Sequence, residues 1–503
     1  MRYLLLGLCS LLLASPAAAA WSEARSRHFI IYSEQKPAEL RNYAERLERF
    51  DAAVRAARSM PDPVLTDGSR LTIYVLRTMG AVADLNSFGA PGFYIGRAGG
   101  SLAVVTSQSL DTRNGRYNPE ETFFHEYTHH LMLGDQKTAL PMWMIEGFAE
   151  FYSTAQIKPD GAVVIGAPPL DHATVLLRDL GFSARHLLAG REPEERFDRA
   201  SVYAKGWLLT HYLMFEPARA GQLASYLSAM NRGTPAEQAA SAAFGDLRKL
   251  DTDLDRYAAS KSFRAVQIPS AAAPQVTIRP LSAGLSAIMR VRVLSDRGTA
   301  RGKADELAAL ARKTAAPYPA DAVVQGILAE AEFDAGRHAD AIAAADRALS
   351  VDPDQVQSLI YKGRALMALG KSDPAKADWT TIRRLFIKAN RADTENADPL
   401  WLYYQSFAAA GQRPTNDAVK GMLYAHVLAP QDRGLRFTAV RELLRGGDYD
   451  KAERAFGPLV FDPHLSPGRK PLLTHAMQRI QARDGAGAIA ALEADFRAGP
   501  SRS

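Results

Sequence analysis

The chain has 503 residues, 47% of them hydrophobic, a formal charge of +6 and one cysteine. That length is enough for two or three packed domains, and the single thiol excludes a disulfide framework or a cysteine-rich metal site. The basic residues are interleaved with acids rather than gathered on one face, which argues against a nucleic-acid partner.

The first twenty residues read as a secretory leader. Arg2 is the charged start, Tyr3 to Ala14 the short apolar core, and Ser15 to Ala20 the small-residue cleavage region. A cut after Ala20 starts the mature chain near Trp21 and predicts a periplasmic or secreted protein. Cys9 lies inside the leader behind Leu8, so it lacks the small residue that a lipid-attachment site needs. The mature chain therefore has no thiol, and every later apolar run is too short or too interrupted to span a membrane.

Residues 21–262 are expected to form one α+β unit. Alternation and β-branching predict strands at His28 to Tyr32, Leu71 to Leu76 and Leu102 to Thr106. Leu40, Tyr43, Ala44, Leu47, Phe50 and Val54 form a helical stripe within Glu39 to Arg58. Later helices are expected over Val202 to Met214 and Ala220 to Met230. Residues 263–285, with Pro269, Pro274 and Pro280, read as a Pro/Ala/Ser-rich linker.

From 286 to 495 the chain reads as a helical array, ahead of a short tail at 496–503. Pro319 and Pro353 are 34 residues apart and each closes a segment of two amphipathic helices. Small residues mark close helix approaches at Ala329, Gly336, Ala341 and Ala348, and again at Gly363, Gly370 and Ala375. The register then breaks and resumes with Trp401, Ala410, Gly411 and Ala418. This period resembles the tetratricopeptide repeat, which implies a surface for a peptide or protein partner.

The chemistry is expected on two helices. In Asn118 to His130, Asn118 is a cap, Pro119 suits the first turn, Glu121 completes a capping-box pattern and Gly134 is a stop. His125 and His129 then stand one turn apart on one face, as two ligands of one zinc ion must. Glu126 sits beside them, placed as a base rather than a ligand. The second helix, begun after Pro141, carries Glu146 and Glu150 on an otherwise apolar face. Buried acids are costly unless paired or bound to metal. Glu146 is the third ligand, and Glu150 is placed to accept the free N–H of a ligating imidazole. His130 points about 100° away from His129 and is a flank residue.

His125-Glu126-Tyr127-Thr128-His129 with Trp143-Met144-Ile145-Glu146-Gly147-Phe148-Ala149 resembles the gluzincin metallopeptidases of the peptidase MA-like group. The resemblance covers about 21–260 and is specific around 118–152. It implies a zincin-like α+β catalytic domain with a small mixed sheet. It also implies one Zn2+ per chain on His125, His129 and Glu146, and peptide hydrolysis by a zinc-bound water with Glu126 as general base. It further implies a Tyr or His from a later helix that stabilises the oxyanion; Tyr203 is the candidate, with His211 and Tyr212 as alternates. The family also pairs substrate with a sheet edge, for which Leu102 to Thr106 is the candidate. The competing expectation is a non-catalytic envelope scaffold with a retired or structural zinc site.

Overall fold

The computed structural model describes residues 21–498 apart from 87–91, 113–114, 136–139, 170–182, 190–195, 233, 261, 301 and 461–467. Residues 1–20, where a leader is expected, and the last five residues of the tail lie outside the described residues. The strands are β1 (Ser22–Arg25), β2 (Phe29–Ser33), β3 (Leu71–Leu76), β4 (Gly92–Ile95), β5 (Leu102–Thr106), β6 (Leu110–Thr112), β7 (Gly115–Tyr117), β8 (Gln156–Ile157), β9 (Val163–Ile165), β10 (Val266–Ile268) and β11 (Thr277–Pro280).

Six of them form a mixed sheet in the order β11-β1-β2-β3-β5-β4. The inner pairs β2–β3 and β3–β5 are parallel, while β11, β1 and β4 run antiparallel to their neighbours. Strands β2 and β5 are buried at every position, as strands covered on both faces are. Phe29, Ile31, Ile73, Val75, Ala103 and Val105 face one core. Their alternates Ile30, Tyr32, Tyr74, Leu102 and Val104 face another.

The helices between β2 and β10 cover the first face, except the second, whose Val82 packs with the alternates on the other face. They are α1 (Pro37–Arg58), α2 (Met79–Ala83), α3 (Pro119–Asp135), α4 (Met142–Ser153), α5 (Ala184–Leu188), α6 (Arg196–Phe215), α7 (Gln222–Asn231), α8 (Ala236–Phe244) and α9 (Leu247–Ala259). The expected α1 stripe is buried at Leu40, Ala44, Leu47, Phe50 and Val54, whereas Tyr43 is only partly covered.

Twelve described helices follow: α10 (Ala283–Arg297), α11 (Ala304–Ala315), α12 (Ala322–Asp334), α13 (His338–Val351), α14 (Val356–Ser372), α15 (Trp379–Ala392), α16 (Ala397–Ala409), α17 (Asn416–Leu428), α18 (Arg433–Arg445), α19 (Tyr449–Val460), α20 (Lys470–Gln481) and α21 (Gly485–Ala498). This is a helical repeat array, and the starts of α12 and α14 at 322 and 356 keep the interval read from the prolines. The register break is the loop 373–378, where Ala375 is exposed rather than packed between helices. Gly336 and Gly411 are not contact positions either. Both have positive φ, 71° and 67°, and turn the chain between the helices of a pair.

Two expectations are corrected. Residues 263–285 are not a free linker, because β10 pairs with β9 and β11 closes the large sheet against β1. The three prolines flank or end these short strands, where a missing N–H is tolerated. Leu102 to Thr106 is not an edge, because β5 lies between β3 and β4. The edge beside it is β4.

Candidate metal centre

Helix α3 starts as its sequence directs. The Asn118 side chain accepts from Glu120 N at 3.1 Å and its amide donates to Glu121 Oε1 at 3.1 Å. The helix runs one residue past Gly134. It is fastened to α1 by Arg46, whose Nε and Nη2 each reach a Glu120 oxygen at 2.6 Å. Tyr127 donates to Asp51 at 2.7 Å, and the Phe50 and Phe124 rings stack at 3.9 Å.

Helix α4 lies against α3 on one side and α6 on the other. Its contact with α6 runs through two glycines. A Cβ on Gly147 would stand 2.5 Å from the Gly206 carbonyl oxygen, and one on Gly206 would stand 2.7 Å from that of Trp143. This approach sets Glu146, one residue before Gly147, near Tyr203, one turn before Gly206. In the sequence each glycine is only a small residue on an apolar helix, and the fold alone shows that they touch.

The structure brings His125, His129 and Glu146 together. Nε2 of His125 and Nε2 of His129 are 3.1 Å apart, and Glu146 Oε2 lies 3.4 Å and 3.6 Å from them. A circle through three points so separated has a radius of about 2.0 Å, which matches zinc–ligand distances of about 2.0–2.2 Å. Glu146 is 1% exposed, and neither of its oxygens has a hydrogen-bond partner. The imidazole contacts are longer than the about 2.7–2.9 Å of a charged N–H to carboxylate bond. A buried carboxylate without a bonded partner costs several kcal/mol on the order of magnitude. The donor set, its spacing and this orphaned acid fit a divalent metal.

The neighbours complete the arrangement. Glu150 Oε1 is 3.0 Å from His125 Nδ1, the ring nitrogen turned away from Glu146. Burial works against the charged form of each group; even so, His125 is raised well above its ordinary value by its two carboxylates. Glu146 is held below the carboxylate range by His129 and His125. The Tyr203 ring lies 5.8 Å from that of His125 at 25°. Its phenol is pushed up by burial and then by the charges of Glu146, Glu126 and Glu150, so it keeps its proton. Glu126 is half-buried on α3, close enough for its charge to act on Tyr203 and on Tyr94.

The alternates to Tyr203 are committed elsewhere. His211 Nε2 meets the carbonyls of Arg264 at 2.9 Å and Gly166 at 3.1 Å, and Nδ1 meets Tyr257 Oη at 2.9 Å. The Tyr212 ring lies 5.1 Å from that of Tyr257 and under Arg219. His130 Nδ1 is 2.7 Å from Tyr94 Oη, and burial lowers its pKa to about 4, with Arg55 and His28 adding to the shift. It faces β4 and not the three ligand atoms.

No family model matches the chain, and no curated protein matches it. Among solved structures it is similar to YrrB, described as a TPR protein with an unusual peptide-binding site. That match has 19% identity and a TM-score of 0.29, covering 38% of this chain and 93% of that one. It is also similar to yeast Tom70, at 11% identity and a TM-score of 0.25, covering 75% of this chain and 76% of that one.

Proposed function

We propose that the chain is a zinc-dependent peptidase of the gluzincin type, secreted or periplasmic, with its catalytic centre between α3, α4 and α6. The observation that carries this reading is Glu146, a buried carboxylate with neither oxygen bonded, aimed at two imidazole nitrogens. His125, His129 and Glu146 would hold one Zn2+. When bound, the ion supplies a Lewis acid and an acidified water at its fourth position.

The chain's own groups then have distinct tasks. Glu126, adjacent to His125 but outside the ligand set, receives a proton from the attacking water and returns it to the leaving amine. Glu150 fixes the His125 tautomer by holding Nδ1–H, which leaves Nε2 free to ligate. Tyr203 keeps its phenolic proton and donates to the oxygen that becomes negative on the substrate carbonyl. Strand β4, the edge beside α3, can take an extended peptide as an added strand.

Zinc analysis of the purified chain tests the centre, with about one ion per chain expected and a loss in His129→Ala. Glu126→Gln should retain zinc and lose cleavage in proteome-derived peptide libraries; full cleavage by that variant would overturn the mechanism. A second reading, a non-catalytic scaffold for peptide or protein partners, is favoured by the helical array. It predicts wild-type and Glu126→Gln libraries that are indistinguishable.

A further inference from the structure

The turn between β4 and β5 leaves the sheet and enters the helical array. Arg97 donates to the Asp296 carbonyl at 2.6 Å and to its carboxylate at 3.2 Å. Ala98 N donates to Asp432 Oδ2 at 2.8 Å, and its methyl, 3% exposed, joins the apolar cluster of Ala397, Tyr404, Met422 and Ala425. Gln431 Nε2 donates to Ser101 Oγ at 2.8 Å. A Cβ on Gly96 would stand 2.8 Å from Gln431 Cγ, so the glycine permits the approach.

The polar contacts fall at or beside the first helix of a pair, at the end of α10 and the start of α18, and the apolar one reaches the first helix α16 together with Met422 and Ala425 of its partner α17. First helices also touch across pairs, α10 with α12, α12 with α14 and α14 with α16. A stack that closes on its first helices is concave on their side, which is where such arrays accept extended ligands. Here that side already holds a segment of the same chain.

The turn leads on to the metal helix. Tyr94 Oη on β4 is 3.2 Å from Ser101 Oγ and 2.7 Å from His130 Nδ1. The His130 ring stacks on Tyr127 at 5.4 Å, and His130 follows His129 on α3. Polar contacts therefore run without a break from Gln431 through Ser101 and Tyr94 to the helix that bears His125, Glu126 and His129.

We propose that the inner face of the array is a receptor for the chain's own β4–β5 turn, and that by gripping it the array positions edge strand β4 and helix α3. Gln431, Ser101 and Tyr94 are the positioning residues. The consequence for the centre deepens the function proposed above, but the grip does not depend on it. Hydrogen exchange reads the grip without metal or substrate.

The test uses the full chain. In Gln431→Ala, amides at 92–95 and 123–132 should exchange about fivefold faster or more, as loss of one hydrogen bond to a cooperative unit implies. Those at 338–351, remote from the turn, should not change. Ala98→Asp places a carboxylate in an apolar pocket beside Asp432 and should accelerate the same amides further. A synthetic peptide spanning 92–105 should bind this variant and not the wild type. Should Ala98→Asp fail to fold, Gln431→Ala alone decides. Unchanged exchange at 92–95, or a peptide that does not bind the folded variant, would overturn the receptor. Acceleration confined to 92–95 would overturn the coupling to α3. Both effects present in a chain that binds no zinc would leave the grip standing and sink the metal reading.

Discussion

The two faces of the central sheet are built from the same strands and packed by opposite means. One face meets α1, α3 and α4 through aromatic rings, with Phe29 edge-on to Tyr127 and Phe50 stacked on Phe124, and the candidate metal centre lies beyond that layer. The other meets α10 and α12 through Leu285, Ile288, Met289 and Ile327, ringed by the half-buried ionic groups of Arg97, Arg292 and Asp296 and the buried carboxyl of Glu330. A close-packed apolar layer resists changes of volume, whereas a paired ionic network is costly to break at any one member. The array is therefore a wall of the α+β unit and not an appendage to it.

The largest test of that comparison is to remove the wall. Deleting 286–503 uncovers Ile30, Tyr32, Tyr74, Leu102 and Val104, each worth about 1.5–3 kcal/mol when buried. The total is comparable to the whole stability of a domain. The truncated chain should be aggregated or molten, with strong dye binding and no cooperative melt. A sharp melt near that of the full chain would show that the first face suffices.

On the first face, Gly147→Ala forces α4 away from α6 at a contact with no room for a methyl. Overpacking of this kind costs about 1–3 kcal/mol. It should also move Glu146 relative to the two histidines, so zinc affinity should fall along with the melting temperature. A methyl on the neighbouring exposed helix surface should do neither. Glu150→Gln is gentler. It keeps the volume but weakens the hold on His125 Nδ1, and zinc should bind about 10–100-fold more weakly with the apo melting temperature little changed.

The contrast also explains what could be read from the sequence. Strands β2, β3 and β5, α1 and the two site helices were legible because their signals are local: alternation, a 3.6-residue stripe, a cap, a four-residue histidine spacing. Two candidate ligand positions followed from the histidine spacing and the third from an acid on an apolar helix face, and the structure sets their atoms within 4.8 Å of one another. What could not be read depends on contacts distant in sequence. Residues 277–280 look like linker because strand β11 exists only against β1. Leu102 to Thr106 looks like an edge until β4 is laid beside it. Tyr94 and Gln431 have no motif, since each acquires its role only by meeting a residue that the fold brings near.

The effect most confined to one stretch of pH concerns the other face, and it has a sign. Glu330 is 4% exposed, accepts from Tyr361 Oη at 2.7 Å, and also meets Gln357 Nε2. Burial, then the charge of Asp296, raises its carboxyl to about 7; Asp334 adds to the rise, while Tyr361 and the nearby Arg97 oppose it. In the unfolded chain the group titrates near its ordinary value of about 4.3. Between these values the folded state binds the more protons, so stability falls as pH rises from about 4.5 to 7 and levels off above. The full swing is on the order of 3–4 kcal/mol, at about 1.36 kcal/mol for each pH unit between the two values. Glu330→Gln should flatten that stretch of the stability–pH curve, read by urea melts at several pH values. It should leave zinc affinity unchanged, because Glu330 has no contact with His125, His129 or Glu146. A variant that keeps the wild-type slope would mean that Glu330 is ionised in the fold, with Arg97 as its counter-charge.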